Sequence, residues 1–251
     1  MQNPVSGKAA ARGVGGSDAI MTAQTKERPI ILNAEQVRAV LSGDMTQYTV
    51  PIIAKVPEWT KRIELRGSDY VAMQDTMGVG IGKSPFGQPG DKLWVKELIL
   101  CECYASRTWN DLSYDADGDC VMAEIPSRWS PPADKINRHW ESGDNIPGGG
   151  FEWFTASIPP SKMPRWASRV TLEVVTVGAR RLQDMPDDEI YAEGIFEWAQ
   201  NYMDKNHGGG KFKNIRSAYK YYWNARHKEK PGLAWDDNPW VWHVDWKKVA
   251  K

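Results

Sequence analysis

The chain has 251 residues, 41% of them hydrophobic and 25% charged, with 32 basic residues balancing 32 acidic ones. That length allows a sizeable core in one large domain or two small ones. Zero formal charge excludes a chain-wide electrostatic grip on duplex DNA, which needs a broad basic face.

Residues 1–27 are small and polar and lack an apolar h-region. They read as a disordered tail or an N-terminal extension, with Met21 as an alternative start, and not as a secretory signal. Folded sequence begins at Arg28, with "PIIL" as a short strand. Asn33 followed by Gln36 is a capping-box pattern, Val37, Val40 and Leu41 mark one helical face, and Gly43 ends the helix. "MTQYTVPII" leads into a region of mixed short strands. Pro89-Gly90-Asp91 then turns the chain into "KLWVKELIL", where Leu93, Val95 and Glu97 share a face.

Residues 105–155 are rich in Asp, Pro, Gly and Ser, with Trp109, Trp129, Trp140 and Trp153 scattered among them. This composition predicts a long loop insertion, with "SGDNIPGGG" a flexible or tight loop, of the sort that serves as a lid or binding loop. "RVTLEVVTVGARRL" is a strand. "MPDDEIYAEGI" is a helix with Pro186 at its first position and acids in its first turn. "KNIRSAYKYYWNARHK" is a helix with Ile215, Ala218, Tyr219 and Tyr222 on one face. "WVWHVDWKKV" alternates, with Trp240, Trp242, Val244 and Trp246 on one side and Val241, His243 and Asp245 on the other. The expectation is a β-rich α+β fold: a small β-barrel with a few flanking helices and a long loop insertion, formed as a single domain over residues 28–250.

Thirteen Trp exceed what packing alone requires; indole joins a flat apolar face to one N–H donor and suits a stacking surface as well as a core. "KMPRWASR" sets Lys162, Arg165 and Arg169 around Trp166, the interleaving that follows a phosphate backbone while stacking a base; a Trp plugging a barrel end is the alternative. Trp94 and Glu97 are placed at a cleft. His243 and Asp245 suggest a proton relay or a polar rim. Cys101, Cys103 and Cys120, with His139 nearby, lack the second ligand pair of a zinc site, so no metal and no other cofactor is expected. "HGGGK" at 207–211 lacks the ending and the preceding strand of a phosphate loop and reads as a linker. An odd cysteine count and no apolar run of about 18 residues point to a cytoplasmic protein without a membrane span.

The stretches "RPIILNAEQVRAVLSG", "FGQPGDKLWVKE", "MPRWASRVTLEV", "RLQDMPDDEIYAEGI" and "NPWVWHVDWKKV", in this order over residues 28–248, resemble ASCH-domain proteins of the PUA-like superfamily, in particular the larger phage and prophage forms. The resemblance implies a PUA-like β-barrel with a cleft lined by the loop after the first helix, and binding of RNA or modified bases. Some small members are amidohydrolases acting on N4-acetylcytidine, and another has been described as a ribonuclease. The family loop reads Gly-x-Lys-x-x-(Glu/Thr)-x-Arg. Here Gly43 matches, while Met45 takes the Lys place, Tyr48 the Glu/Thr place and Val50 the Arg place. A Glu on a later helix is matched by Glu193.

Met has no proton to transfer, and Tyr at its ordinary pKa is a poor base near neutrality. The residues therefore point first to a binding protein that recognises RNA or a modified base in an aromatic cleft, through Met45, Tyr48, Trp94, Glu97, Lys162, Arg165, Trp166 and Arg169, with Glu193 at its side. The alternative is an amidohydrolase of N-acylated nucleosides, using Glu193 with a hydroxyl from Thr46 or Tyr48 and a lysine from elsewhere, such as Lys96. A third reading is a phage accessory protein whose Trp-rich surface binds a host protein.

Overall fold

The computed structural model describes residues 25–104, 109, 111–121, 125, 126, 128–141, 151–205 and 212–249. The tail at 1–24, "SGDNIPGGG" and "HGGGK" lie outside these. Strand β1 (Glu27–Ile31) leads to helix α1 (Ala34–Ser42) and strand β2 (Gln47–Pro51). Three strands follow in meander: β3 (Arg62–Arg66), β4 (Asp69–Gln74) and β5 (Met77–Gly82). Then come β6 (Lys92–Lys96), β7 (Ile99–Tyr104), β8 (Asp111–Tyr114), β9 (Cys120–Val121), β10 (Ile136–Glu141) and β11 (Phe151–Ile158). The long β12 (Thr171–Arg181) precedes helices α2 (Asp187–Ala192), α3 (Phe196–Lys205) and α4 (Ile215–His227), and β13 (Trp240–Val249) closes the order.

Local chemistry explains the ends of α1. The Asn33 side chain accepts the Gln36 N–H at 2.8 Å, Gln36 Oε1 accepts the Asn33 N–H at 3.0 Å, and Gly43 leaves in the left-handed region at φ 91°. This is the expected capping box, with a glycine where a side chain would strain the backbone. Pro186 stands one place earlier than expected, as the N-cap of α2.

The described strands form three sheets and no closed barrel: β1-β6-β12-β13-β2, β10-β11-β7-β8-β9, and β3-β4-β5. The β-rich α+β class holds. In the central sheet β1 runs parallel to β6 and the other pairs are antiparallel. Its edge strands, β1 and β2, do not pair with each other, so the sheet stays open.

The alternation read in β13 is real. Trp242, Val244 and Trp246 pack with Val37 and Val40 of α1 and with Leu93, Val95 and Leu172. Val241, on the opposite face, joins a second core with Ile190, Tyr219, Tyr222 and Trp223 of α2 and α4. The central sheet thus carries helices on both faces.

The 105–155 segment is not loop throughout, contrary to its composition. Residues 111–114 and 151–158 pair with β7 on its two sides, and 120–121 and 136–141 extend the sheet at its edges, over a third core that includes Cys101, Cys103, Leu112, Ile158 and Met163. Ladder pairing satisfies the backbone there whatever the turn-rich composition between strands. Burial pushes the Cys101 thiol up to about 12. Among the described residues no group of three His, Cys, Asp or Glu could hold a metal, and no helix is long and apolar enough to cross a membrane.

Candidate functional site around the loop after helix α1

The loop that follows α1 and the turn between α2 and α3 meet at an isolated antiparallel bridge between Met45 and Glu193. Thr46 N–H donates to the Ala192 carbonyl at 2.9 Å, and Met45 N–H donates to the Ala39 carbonyl at 2.9 Å. The pairing needs a very close approach at Gly194, whose φ is +66°. A Cβ there would lie 2.8 Å from Met45 Cβ and 2.9 Å from Ala39 Cβ. Gly194→Ala is expected to lower the unfolding free energy by about 3 kcal/mol through left-handed strain and overpacking. A shift of the urea midpoint at unchanged m-value checks this.

The side chain of Glu193 is buried beneath that bridge, with the residue 1% exposed. It faces Gln47 and Thr49, on the buried side of β2, and the Thr49 backbone N–H. These neighbours are close enough to favour the carboxylate, yet Glu193 Oε1, Gln47 Nε2 and Thr49 Oγ1 all lack a hydrogen-bond partner of good geometry. Three adjoining buried polar atoms in that state are unusual, since each costs about 1–3 kcal/mol of desolvation. Burial outweighs the favourable neighbours and pushes the Glu193 carboxyl up to about 7. Arg226 pulls weakly the other way from α4, where it stacks over the Tyr222 ring at 4.0 Å and donates to its hydroxyl. The Tyr222 hydroxyl also accepts from Gln36 Nε2 at 3.2 Å, which ties α4 to α1 around the edge of β2.

On the outer side of the same bridge lies a cavity of about 600 Å³. Ser42 at the end of α1, Asp44 of the loop and the Ala192–Gly194 turn line it, with Arg38 of α1 paired to Glu197 of α3. Two aromatic rings on its wall are largely open to solvent: Tyr191, 59% exposed, and Phe196, 71% exposed. The cavity and the carboxyl therefore share the 192–194 backbone but lie on opposite sides of it. The exposed rings, the Ser42 hydroxyl and the Arg38–Glu197 ion pair are on the cavity side. The acid of unusual pKa is on the other.

The sequence-predicted residues distribute unevenly around this centre. Met45 is core, 1% exposed, with its carbonyl accepting the Trp246 indole N–H at 3.2 Å. It therefore presents no side chain to a ligand. Thr46 is exposed and bound through its backbone, so it is Thr49, not Thr46, whose hydroxyl faces Glu193. Tyr48 packs between Phe86 and Trp246, at ring separations of 6.2 and 6.3 Å, and burial raises its phenol further above 10. That removes Tyr48 as a base at neutral pH.

Trp94 lies on the outer face of β6, opposite Leu93 and Val95, with Lys96 Nζ 5.3 Å and the Arg165 guanidinium 5.6 Å from its ring centre. Lys96 also donates to the Ser161 carbonyl, and Arg165 pairs with Glu27. Lys96 is therefore committed to Ser161 and the Trp94 face. Lys162 is exposed, and Trp166 packs edge-on against Trp129 at 5.1 Å. Glu97 and Arg169 form a bidentate pair at 2.9 and 3.0 Å in which Arg169 is only 10% exposed. Arg169 also binds Asp117 at 2.8 Å and stacks over Tyr114 at 4.0 Å, so it has no free face for a phosphate. His243 and Asp245 do share a strand face, but His243 lies over Gly178 while Asp245 accepts from the Thr176 hydroxyl.

Tyr191 and Phe196 did not emerge from sequence reasoning. The available signal was an aromatic residue on either side of "AEGI", at the two ends of a turn closed by glycine. No family model matches the chain, and neither a curated protein nor a solved structure matches it.

Proposed function

We propose that the protein is a binding module for RNA or a modified nucleoside, received in the cavity between the loop after α1 and the α2–α3 turn. The observation that carries this reading is the pair of exposed rings, Tyr191 and Phe196, on the wall of a cavity of about 600 Å³. That volume suits a nucleoside-sized ligand. An exposed aromatic ring is costly to leave in water and is repaid by stacking, which every base can supply. Beside the rings, Arg38 is held by Glu197 and the Ala116 carbonyl, and the Ser42 hydroxyl donates to Asp44 at 2.6 Å, which leaves the remaining acceptor capacity of the Asp44 carboxylate to read a base edge or a ribose. The resemblance to ASCH-domain, PUA-like proteins agrees with this placement, because it assigns the ligand cleft to the same loop. In this reading Trp94, Lys96 and Arg165 form a separate outer patch.

Isothermal titration with cytidine, N4-acetylcytidine and a single-stranded RNA hexamer tests the proposal. Tyr191→Ala/Phe196→Ala is expected to weaken the binding by about tenfold or more. Equal affinity of the double variant and the wild type would reject the cavity as the site.

One observation favours a second reading, an amidohydrolase. A carboxyl titrating at about 7 is matched to general acid–base work at neutral pH. Release of acetate from N4-acetylcytidine, abolished in Glu193→Gln, would support that activity; wild-type protein that releases none would remove it.

A further inference from the structure

A second cavity, of about 460 Å³, opens away from Glu193 at the start of β1, against the 84–91 loop. Its lining includes Lys26, Arg28, Lys83, Ser84, Gly87 and Asp91. Strand alternation puts Arg28 on the face of Ile30, which looks toward Leu93 and Val95. The guanidinium therefore sits at the open end of the main core instead of on the outer surface. Its Nε is buried and has no hydrogen-bond partner.

The single carboxylate in the lining, Asp91, borders the same floor at Gly87 as Arg28 but is held by backbone donors. Asp91 accepts the backbone N–H groups of Lys26 at 3.0 Å and of Gln88 at 3.1 Å, closing the loop onto β1. Among the described residues no ion pair engages Lys26, Arg28 or Lys83. Ser84 Oγ accepts the Phe86 N–H at 3.1 Å, which leaves its O–H to donate. Gly87, at φ +87°, keeps the floor open: a Cβ there would lie 2.9 Å from Arg28 Nε and 2.3 Å from Asp91 Oδ2.

We propose that this cavity binds the phosphate group of a nucleotide or of a nucleic-acid strand. Three cations without acidic partners, an unpartnered Arg N–H and a free hydroxyl converge on one space. A tetrahedral anion with several oxygens can satisfy donors arriving from different directions, whereas a planar carboxylate would engage the Arg28 fork and leave the lysines unmatched. The cavity exceeds a bare phosphate and leaves room for an attached sugar.

The test titrates inorganic phosphate, a nucleoside 5′-monophosphate and a single-stranded RNA hexamer into the full chain at low salt. Arg28→Gln is expected to weaken binding of the monophosphate by about tenfold, the worth of a charge-assisted hydrogen bond. Lys83→Gln, at an exposed position that leaves the fold intact, should weaken it several-fold and flatten its salt dependence. Inorganic phosphate, which has no base to stack on a ring, should bind Tyr191→Ala and the wild type equally, which separates this site from the base-binding cavity. In Tyr191→Ala/Phe196→Ala protein, where the first cavity has lost its rings, a hexamer that binds more tightly than the monophosphate, with a steeper salt dependence, identifies a strand as the source; equal affinities identify a free nucleotide. Wild-type protein that binds none of the three probes, or affinity unchanged in both Arg28→Gln and Lys83→Gln, would overturn the proposal.

Discussion

Glu193→Gln is expected to stabilise the protein above pH 7 and to leave its stability nearly unchanged below pH 5. The carboxyl titrates at about 7 in the folded chain, against 4.5 for an ordinary glutamate, because burial penalises its charge. A folded-state pKa above the unfolded one means that the native state holds the proton more tightly. The stabilisation is complete below about pH 4.5 and is lost as pH rises through 7, since the unfolded chain ionises first and the native carboxyl is then forced to ionise in place. The gap corresponds to at most about 3 kcal/mol. A neutral amide of the same shape has no charge to desolvate and can donate to Thr49 Oγ1, which has no hydrogen bond of good geometry in the wild type. Urea unfolding at pH 5 and pH 8 checks this: the wild type should lose stability between the two, while the variant should not through this group. Parallel pH curves for the two proteins would show that Glu193 does not titrate in this window.

Arg169→Met is expected to cost about 3–5 kcal/mol of stability, the usual result of stranding one member of a buried ion pair. Glu97, 1% exposed, would keep its carboxylate in the core without a counter-charge, and its pKa, already raised by desolvation, would climb further as the opposing Arg169 contribution vanished. Asp117 and Asp119 would lose the same cation. Because Asp117 and Asp119 belong to the β8–β9 turn while Glu97 follows β6, the loss falls on the junction between the central sheet and the second sheet. Glu97→Met in the same chain should restore much of the loss, since replacing both members by apolar side chains of similar size is often close to neutral. RNA affinity, measured where both proteins are folded, should not change. A loss under about 1 kcal/mol, or weakened RNA binding by folded protein, would return Arg169 to the ligand-contacting surface that sequence reasoning gave it.

These two residues also show what could be read from sequence. Glu193 was singled out through the resemblance, which matches it to a glutamate on a later helix; what local sequence gave is its setting, a proline-started helix with acids in its first turn, ended by Gly194. Glu97 was placed with Leu93 and Val95 by simple alternation, and that face is indeed buried. What alternation could not give is its partner. Arg169 lies 72 residues later in the chain, and no local pattern distinguishes a guanidinium that follows phosphates from one that neutralises a buried carboxylate. The same limit applies at Met45. Its place in the loop after α1 was legible, but its burial depends on Ala39, Gly194 and Trp246 converging on it from three elements.

The sequence by itself determined the short-range features: the capping box of α1, the left-handed glycine after it, the alternating faces of β6 and β13, and the charge balance. Each rests on backbone geometry or side-chain spacing within about one helical turn or a few strand residues. The tertiary structure alone decided that the strands make three open sheets, that the Asp- and Gly-rich segment contributes strands, and that "SGDMTQYTV" turns Gln47 and Thr49, rather than Thr46, toward Glu193. It also decided which aromatic residues stay in water. Burial is set by how much surface other elements cover, and thirteen tryptophans carry no mark of which will be covered. Tyr191 and Phe196 remain exposed because the tight 192–194 turn presses its backbone, and not their rings, against the core.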